Sequence, residues 1–430
     1  MEKSGVMQRS QIKRAIIDGS YLLVGNIGTV VIALLNLIIL TRILSTEDMG
    51  KYSLFLMVAN LAVHMGLSWS DASIIRHGRE EYVEHGKINR TFWARAYLFL
   101  PILAFIILVY FVFNKRISEY IGIEPKNIVF VIGLFFLNGL LNSAICLYRS
   151  IDRMKWSSYI LLTQKILYLA GLSLFFFNII IVKLISVLIV INLSFFLTLI
   201  FNVSLFNFKL LSPFIFSRSH FRKIWFYSWP QLIGFSGLYV INYIDIFVIR
   251  KFLTISDVGV YNIAYSGFMI ISGIILLINT VFLPLIVEYR AKKNFDMIRN
   301  YVNKIPKASI IWIFMVLFGV AFSKQFISFF FSDKYIPAIP SFNILLLSSV
   351  IYFIGVCFLP LMTAFDMVIA IQVFNLIKSA INIIGDFLLV PKYGIIGAAY
   401  GTMIAFGIDL FLVLILFYFK RGVFLGYEND

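Results

Sequence analysis

Long apolar runs alternate with short polar segments from one end of the chain to the other. Most runs reach about 20 residues, the length an α-helix needs to cross the hydrocarbon core of a bilayer. The pattern predicts twelve such helices, at about 17–41, 51–74, 96–114, 128–148, 157–179, 184–207, 226–249, 258–287, 307–323, 341–364, 368–390 and 394–419. The runs do not alternate residue by residue, as the strands of a transmembrane β-barrel would. The expected class is all-α integral membrane, and an even number of crossings puts both termini on one side.

Two polar joints repeat each other. STEDMGKY (45–52) and TISDVGVY (254–261) both follow an apolar run that ends in a basic residue. They pair Asp48 with Asp257, Gly50 with Gly259 and Tyr52 with Tyr261, at an offset of 209. The register extends backwards through Gly25/Gly234, Gly28/Gly237, Asn36/Asp245, Arg42/Lys251 and Leu44/Leu253. A weaker register, offset 214, sets 150–171 on 364–385 and pairs Asp152 with Asp366 and Gly171 with Gly385. Six helices separate the copies. That even number keeps orientation, so the halves read as parallel repeats about an axis along the membrane normal, an architecture of transporters. The bland alternative is that D-x-G-x-Y is a tight-turn and helix-start signal that arose twice. The repeat predicts a six-helix bundle at 1–208, a cytoplasmic linker at 209–225 and a second bundle at 226–430.

Composition agrees with the runs. The 430 residues are 61% hydrophobic and 13% charged, against roughly 25% charged in soluble domains. The formal net charge of +16 would point to nucleic acid on a soluble protein. Here the basic residues sit in short loops, where they set orientation, and no soluble domain carries a basic–aromatic patch. One alternate set of loops holds 24 Lys and Arg and the other 11; Lys165 and Lys378 fall inside spans. The richer side is assigned to the cytoplasm, with both termini. Outer loops are too short to hold a catalytic domain. Cys146 and Cys357 lie in apolar runs and read as small core residues. No A-x-A-like site follows the first run, so it is expected to stay as a helix rather than be removed as a signal peptide.

Three stretches carry a family resemblance: GSYLLVGNIGTVVIALLNLIILTRILSTEDMGKYSLF (19–55), its echo in the seventh span, and NLIKSAINIIGDFLLVPKYGIIGAAYGT (375–402). Together they resemble the polysaccharide-export branch of the multidrug/oligosaccharidyl-lipid/polysaccharide exporter superfamily, in particular its O-antigen and capsule-type lipid-linked oligosaccharide flippases. The resemblance covers nearly the whole chain through loose motifs. It implies two six-helix bundles around a central cavity in a bacterial inner membrane. It further implies export of an undecaprenyl-diphosphate-linked repeat unit to the outer leaflet, alongside membrane lipids, a polysaccharide polymerase and chain-length machinery. The superfamily's peptidoglycan-precursor flippases usually have two more helices, which weighs against lipid II as cargo.

A charge near mid-bilayer costs roughly 2.5–3.5 kcal/mol on insertion scales, so it normally faces a cavity or a partner. Lys378 shares one helix face with Asn375, Asn382 and Asp386. Lys165 follows Gln164 one turn before Tyr168. On the flippase reading, these residues line the substrate cavity and the two lysines offer positive charge to a diphosphate. The alternative for Lys378 is an intrahelical relation with Asp386, or snorkelling. Asp245, with Tyr239 and Asn242 near it on the helix, is either a structural carboxylate or, with Asp386, a site for a coupling proton or cation. Asn60, His64, Ser68 and Asp71 form another one-face stripe. His64 can carry a proton near neutral pH or simply pack, and Asp71 can be a solvated helix terminus. Arg42 and Arg250 end the first and seventh spans as interfacial anchors or as part of an outer gate. Gly397 and Gly401 stand at the spacing of close helix packing.

No Walker motif, glycine-rich nucleotide loop, metal cluster or catalytic triad occurs, so neither cofactor nor ATP hydrolysis is expected. A drug/cation antiporter of the same superfamily competes with the flippase. It favours acidic over basic cavity groups, so the lysines argue against it and Asp245 and Asp386 for it. A membrane polysaccharide polymerase or glycosyltransferase is the third reading, opposed by the absence of any large loop.

Overall fold

The computed structural model describes residues 25, 28–177, 179 and 181–427, without side chains at 233–238 and 240–242. The first residues of helix one and the side chain of Asn242 therefore lie outside what is described. Among the described residues there are helices and short connections and no strand. A bilayer offers no water to backbone N–H and C=O groups, and a helix satisfies them within one segment.

Ten helical stretches of the described residues are long and apolar enough to cross a membrane. They are Thr46–His85, Asn89–Val112 (α4), Pro125–Ser150, Met154–Phe176 (α7), Leu184–Leu205 (α8), Ile255–Ala291 (α10), Phe295–Ala321 (α11), Asp333–Ala364, Val368–Tyr393 (α14) and Ile395–Leu425 (α15). The short α1 (Gly28–Ile43) and the 35-residue α9 (Arg218–Phe252) stand where the first and seventh spans are expected. The arrangement is compatible with twelve spans. Short helices α5 (Asn114–Ile121) and α12 (Ser323–Phe331) precede α6 (Ile128–Ser150) and α13 (Ile339–Ala364).

Two expected spans change shape. The single helix at 51–74 is broken: α2 (Thr46–Gly66) gives way to a 3₁₀ turn at Ser68–Ser70, then α3 (Asp71–His85). Local side chains compete with the helical ladder there. Ser70 Oγ donates to the Leu67 carbonyl at 2.9 Å and Trp69 Nε1 to that of Gly66 at 3.0 Å. The stripe from Asn60 to Asp71 is thus not one helical face. The expected 307–323 span begins earlier, at Phe295. The Asn294 side chain caps it by accepting from the Met297 N–H at 3.4 Å, so the basic segment before the apolar run is helical too.

The chain divides into two compact units, residues 1–45 with 54–236, and 46–53 with 237–430. The order of elements repeats: α1 to α8 have counterparts in α9 to α15, with α2 and α3 together matching α10. The weaker sequence register shows closely in geometry. Asp152 and Asp366 both take left-handed backbone, φ 63° and 60°, a conformation Asp tolerates better than most residues. In each turn the next residue's N–H reaches back five positions, Arg153 to Tyr148 and Met367 to Met362, both at 2.9 Å. Each Asp also holds an arginine within its own unit, Arg79 at 3.1 Å and Arg290 at 2.8 Å.

In the second unit the repeated joints meet. Thr254 and Asp257 form a reciprocal capping box at the start of α10, which satisfies two otherwise orphaned N–H groups. Ser256 Oγ donates to Thr46 Oγ1 at 2.8 Å. A Cβ on Gly259 would strike the Thr46 carbonyl and lie 2.8 Å from the Gly50 nitrogen. Glycine is required at both joints because backbone crosses backbone there.

Candidate functional site

Four helices of the second unit converge on a pair of buried carboxylates. Asp245 comes from α9, Tyr261 from α10, Asn382 and Asp386 from α14, and Thr402 from α15. Asp245 is 2% exposed and Asp386 is fully buried. The Tyr261 hydroxyl donates to Asp245 Oδ2, as does Thr402 Oγ1 at 3.1 Å. Asp386 comes against Asp245. It is held there by the close crossing of α14 and α15: a Cβ on Gly385 would lie 3.1 Å from the Gly401 Cα, and one on Gly401 would collide with the Asp386 carboxylate. The close-packing role expected of Gly397 and Gly401 is visible here, since a Cβ on Gly397 would strike the Leu389 carbonyl.

Four polar atoms of this cluster are buried without a hydrogen-bond partner among the described residues: Asp245 Oδ1, both Asp386 carboxylate oxygens and Asn382 Nδ2. Unsatisfied buried polar groups are costly. Two adjacent buried carboxylates are tolerable only when they share a proton or hold a cation between them. The orphaned oxygens, with Thr402 and Tyr261 beside them, fit either. Among the described residues no group of three or more His, Cys, Asp or Glu could hold a metal ion, so a cation here would draw on neutral oxygens as well.

Lys378 belongs elsewhere on α14. Its ammonium donates to Asn375 Oδ1 at 3.0 Å and to Asp409 Oδ2 on α15 at 3.1 Å, and it sits 5.8 Å from the Phe406 ring centre. Its partner is therefore Asp409 across the helix hairpin, not Asp386 along its own helix. The stripe of Asn375, Lys378, Asn382 and Asp386 splits in two: Lys378 bonds to Asn375 and Asp409, whereas Asn382 and Asp386 lie in the cluster around Asp245. Lys378 and Asn375 line a cavity of about 410 Å³ within the second unit.

In the first unit, Lys165 is partly buried and makes no ion pair or side-chain hydrogen bond among the described residues. Its backbone carbonyl accepts from Asn36 Nδ2 at 3.3 Å. Helix α7 lies close to α1 here, since a Cβ on Gly28 would sit 3.0 Å from Leu162. Gln164 is buried and donates to Ser194 Oγ at 3.0 Å, which ties α7 to α8 as a structural link. Asp71 is no solvated terminus: it pairs with Arg95, whose Nε also donates to Ser70 Oγ at 2.9 Å. With Arg95 only 3% exposed, this ion pair is a compensated structural one, and Asp71 is not available as a lone acid. His64 lies in the last turn of α2, while Asn60 on the same helix accepts from Asn138 at 3.2 Å. Arg42 lies near the end of α1 and Arg250 in the last turn of α9. Lys165 and Lys378 lie in different units.

Several site residues escape the sequence pattern. Tyr261 appears only as part of the repeated joint, and Thr402 as a neighbour of Gly401. Asp409 is visible as a lone acid in an apolar run. Its pairing follows from the hairpin, for Lys378 lies 16 residues before Gly394 and Asp409 15 after it.

The profile of the polysaccharide biosynthesis protein family matches residues 17–290. The chain belongs to this family. An uncharacterized membrane protein of Methanocaldococcus jannaschii is 28% identical to this family member over 201 residues, 45% of this chain and 38% of the other. A probable low-salt glycan biosynthesis flippase, Agl15 of Haloferax volcanii, is 22% identical over 192 residues, 44% and 41% of the two chains. The matched region thus spans about two fifths of each relative's length. Among solved structures, the lipid II flippase MurJ in an inward closed conformation superposes with a TM-score of 0.77 at 16% identity, over 92% of this chain and 87% of that one. An inward-facing multidrug resistance MATE transporter of the MOP superfamily gives 0.70 at 15% identity, over 93% and 96%. This member of the polysaccharide biosynthesis protein family is a multi-pass membrane protein with the fold of MOP superfamily transporters.

Proposed function

We propose that this chain is a flippase that carries a lipid-linked oligosaccharide from the cytoplasmic to the outer leaflet for assembly of a surface glycan. The observation that carries the reading is the combination of polysaccharide biosynthesis family membership with a transporter fold. The relatives whose names state a cargo support it, one a lipid II flippase and one a glycan biosynthesis flippase.

Two sites divide the work. Lys165, a partly buried cation without a counter-ion among the described residues, attracts the anionic diphosphate of the carrier lipid. An ammonium suits this because it follows a moving phosphate as a point charge. Lys378 does not share that role, because Asp409 already neutralises it. The Asp245–Asp386 pair takes the coupling proton or cation, with Asn382 and Thr402 at its side. Binding there is differential if one conformation brings the carboxylates together and another parts them, and only such a difference can drive a cycle. On this reading Arg42 and Arg250 serve as residues of the outer interface.

Both termini face the cytoplasm on this reading; a reporter fused at Asn294 should read cytoplasm, and an outside signal contradicts it. The function itself is tested by deleting the gene. Loss of a surface glycan with accumulation of its lipid-linked precursor supports the proposal, and an unchanged glycan contradicts it. The second reading, a drug/cation antiporter, is favoured by the buried acid pair alone, and drug sensitivity of the deletion strain with a normal glycan would support it.

A further inference from the structure

The second unit contains a cavity that the carboxylate pair does not use. Its volume, about 410 Å³, falls within the roughly 300–1,000 Å³ typical of small-molecule sites. We infer that this cavity is a saccharide site that takes a neutral sugar ring, a reading that rests on the glycan cargo proposed above.

The walls carry the argument. Five aromatic rings line the space: Tyr265 and Phe268 from α10, Tyr352 from α13, Phe374 from α14 and Phe406 from α15. Phe268 and Tyr352 each approach Phe406, at 5.7 and 4.9 Å between ring centres. A sugar ring presents flat C–H faces, which aromatic faces accept. Around its rim run hydroxyls that donate and accept at once. The polar end of the cavity matches that rim. Lys378 offers only donors, Asp409 only acceptors, and Asn375 both. Ser272 Oγ also lines the cavity, in a residue 6% exposed, and has no hydrogen-bond partner among the described residues.

Charge selects among occupants. Lys378 lies 3.1 Å from Asp409, so the polar end is neutral as a whole. A diphosphate would meet an ammonium already shared, with a carboxylate behind it. A polyprenyl tail would cover the ion pair and the Ser272 hydroxyl without replacing any hydrogen bond, which is unfavourable. A neutral polyhydroxyl ring satisfies all of these groups.

The wall also has gaps that permit a clean test. Gly273 and Gly355 line the cavity, and a Cβ at either would meet nothing within 4 Å. Gly355→Leu and Gly273→Leu should therefore project a side chain into the space from a backbone position where its first atom meets no neighbour. Gly407, on α15, is equally open but does not line the cavity, so Gly407→Leu is the control. The full-length protein in detergent is examined by saturation-transfer NMR with a panel of neutral glucose-, galactose-, mannose- and N-acetylglucosamine-containing disaccharides. Wild type and Gly407→Leu should give ring-proton signals with at least one of them. Gly355→Leu and Gly273→Leu should reduce those signals at least tenfold, with melting temperatures close to wild type. Excess inorganic pyrophosphate should not displace the sugar. No signal across the panel, an undiminished signal in both filled variants, or displacement by pyrophosphate overturns the saccharide assignment. A transport assay separates this proposal from the function it rests on. Saccharide binding that the filled variants abolish, in a protein that flips nothing, upholds the cavity and ends the flippase reading. Flipping that both filled variants leave intact overturns the cavity alone.

Discussion

The Lys378 ammonium lies 3.1 Å from the Asp409 carboxylate, across the hairpin of α14 and α15, with side-chain exposures of only 10% and 18%. Breaking such a pair by removing one partner typically costs about 3–5 kcal/mol, whereas replacing both with apolar residues of similar size is often neutral. Lys378→Met and Asp409→Leu should each lower the melting temperature of the purified protein, and the double variant should recover most of the loss. Additive losses in the double variant would show that the pair is not a unit.

The buried carboxylates should behave in the opposite way. Asp245→Asn or Asp386→Asn removes one of two crowded acids, so folding should be unchanged or improved. Glycan export should fall at least tenfold, and any stabilisation of the protein by the coupling cation should vanish with it. Thermal denaturation across a series of cations and pH values checks this. A variant that exports at the wild-type rate removes the coupling role.

Lys165 is tested by charge. Lys165→Gln keeps much of the volume and polarity, so the amount of protein in the membrane should stay near normal while export drops. Lys165→Arg keeps the charge on a planar, bulkier group and should retain part of the activity. Lys165→Glu should be worse than Gln because it repels a diphosphate. Loss of protein instead of activity would mark Lys165 as structural.

The joint of the repeat makes a stability prediction. A Cβ at Gly259 collides with the Thr46 carbonyl, while one at Gly407 meets open space. Overpacking of a tight site costs typically about 1–3 kcal/mol. Gly259→Ala should therefore lower the melting temperature, and Gly407→Ala should not. Equal melting temperatures would mean that the backbone crossing is looser than it looks.

The helices were legible because a bilayer demands long apolar runs, and those runs predict most spans closely. The break at 67–70 was not, since it depends on Ser70 and Trp69 bonding to nearby carbonyls in an otherwise helical apolar stretch. Reading Asn60 to Asp71 as one face assumed an unbroken helix, and the real partner of Asp71 is Arg95, 24 residues on. Helical spacing also misled at Lys378. It finds neighbours on the same helix, and so it offered Asp386, whereas the ion pair forms across the turn at Gly394. Asp245 and Asp386 were each visible as costly intramembrane acids. Their meeting was not, because it depends on how α9, α14 and α15 pack. The equivalence of Asp152 and Asp366 was a faint sequence match, and shared left-handed backbone and paired arginines make it firm.

On the proposed reading the chain moves a lipid-linked glycan across a bilayer. The most direct measurement reconstitutes the purified protein into liposomes that contain a fluorescent lipid-linked oligosaccharide, then adds a membrane-impermeant quencher. Without flipping, quenching stops when the outer leaflet is consumed, at about half the signal. A flippase gives a second phase that proceeds to near completion, slowed at least tenfold by Asp386→Asn and by Lys165→Gln. Quenching that stops at half in wild-type liposomes, under imposed proton and cation gradients of either sign, would contradict that reading.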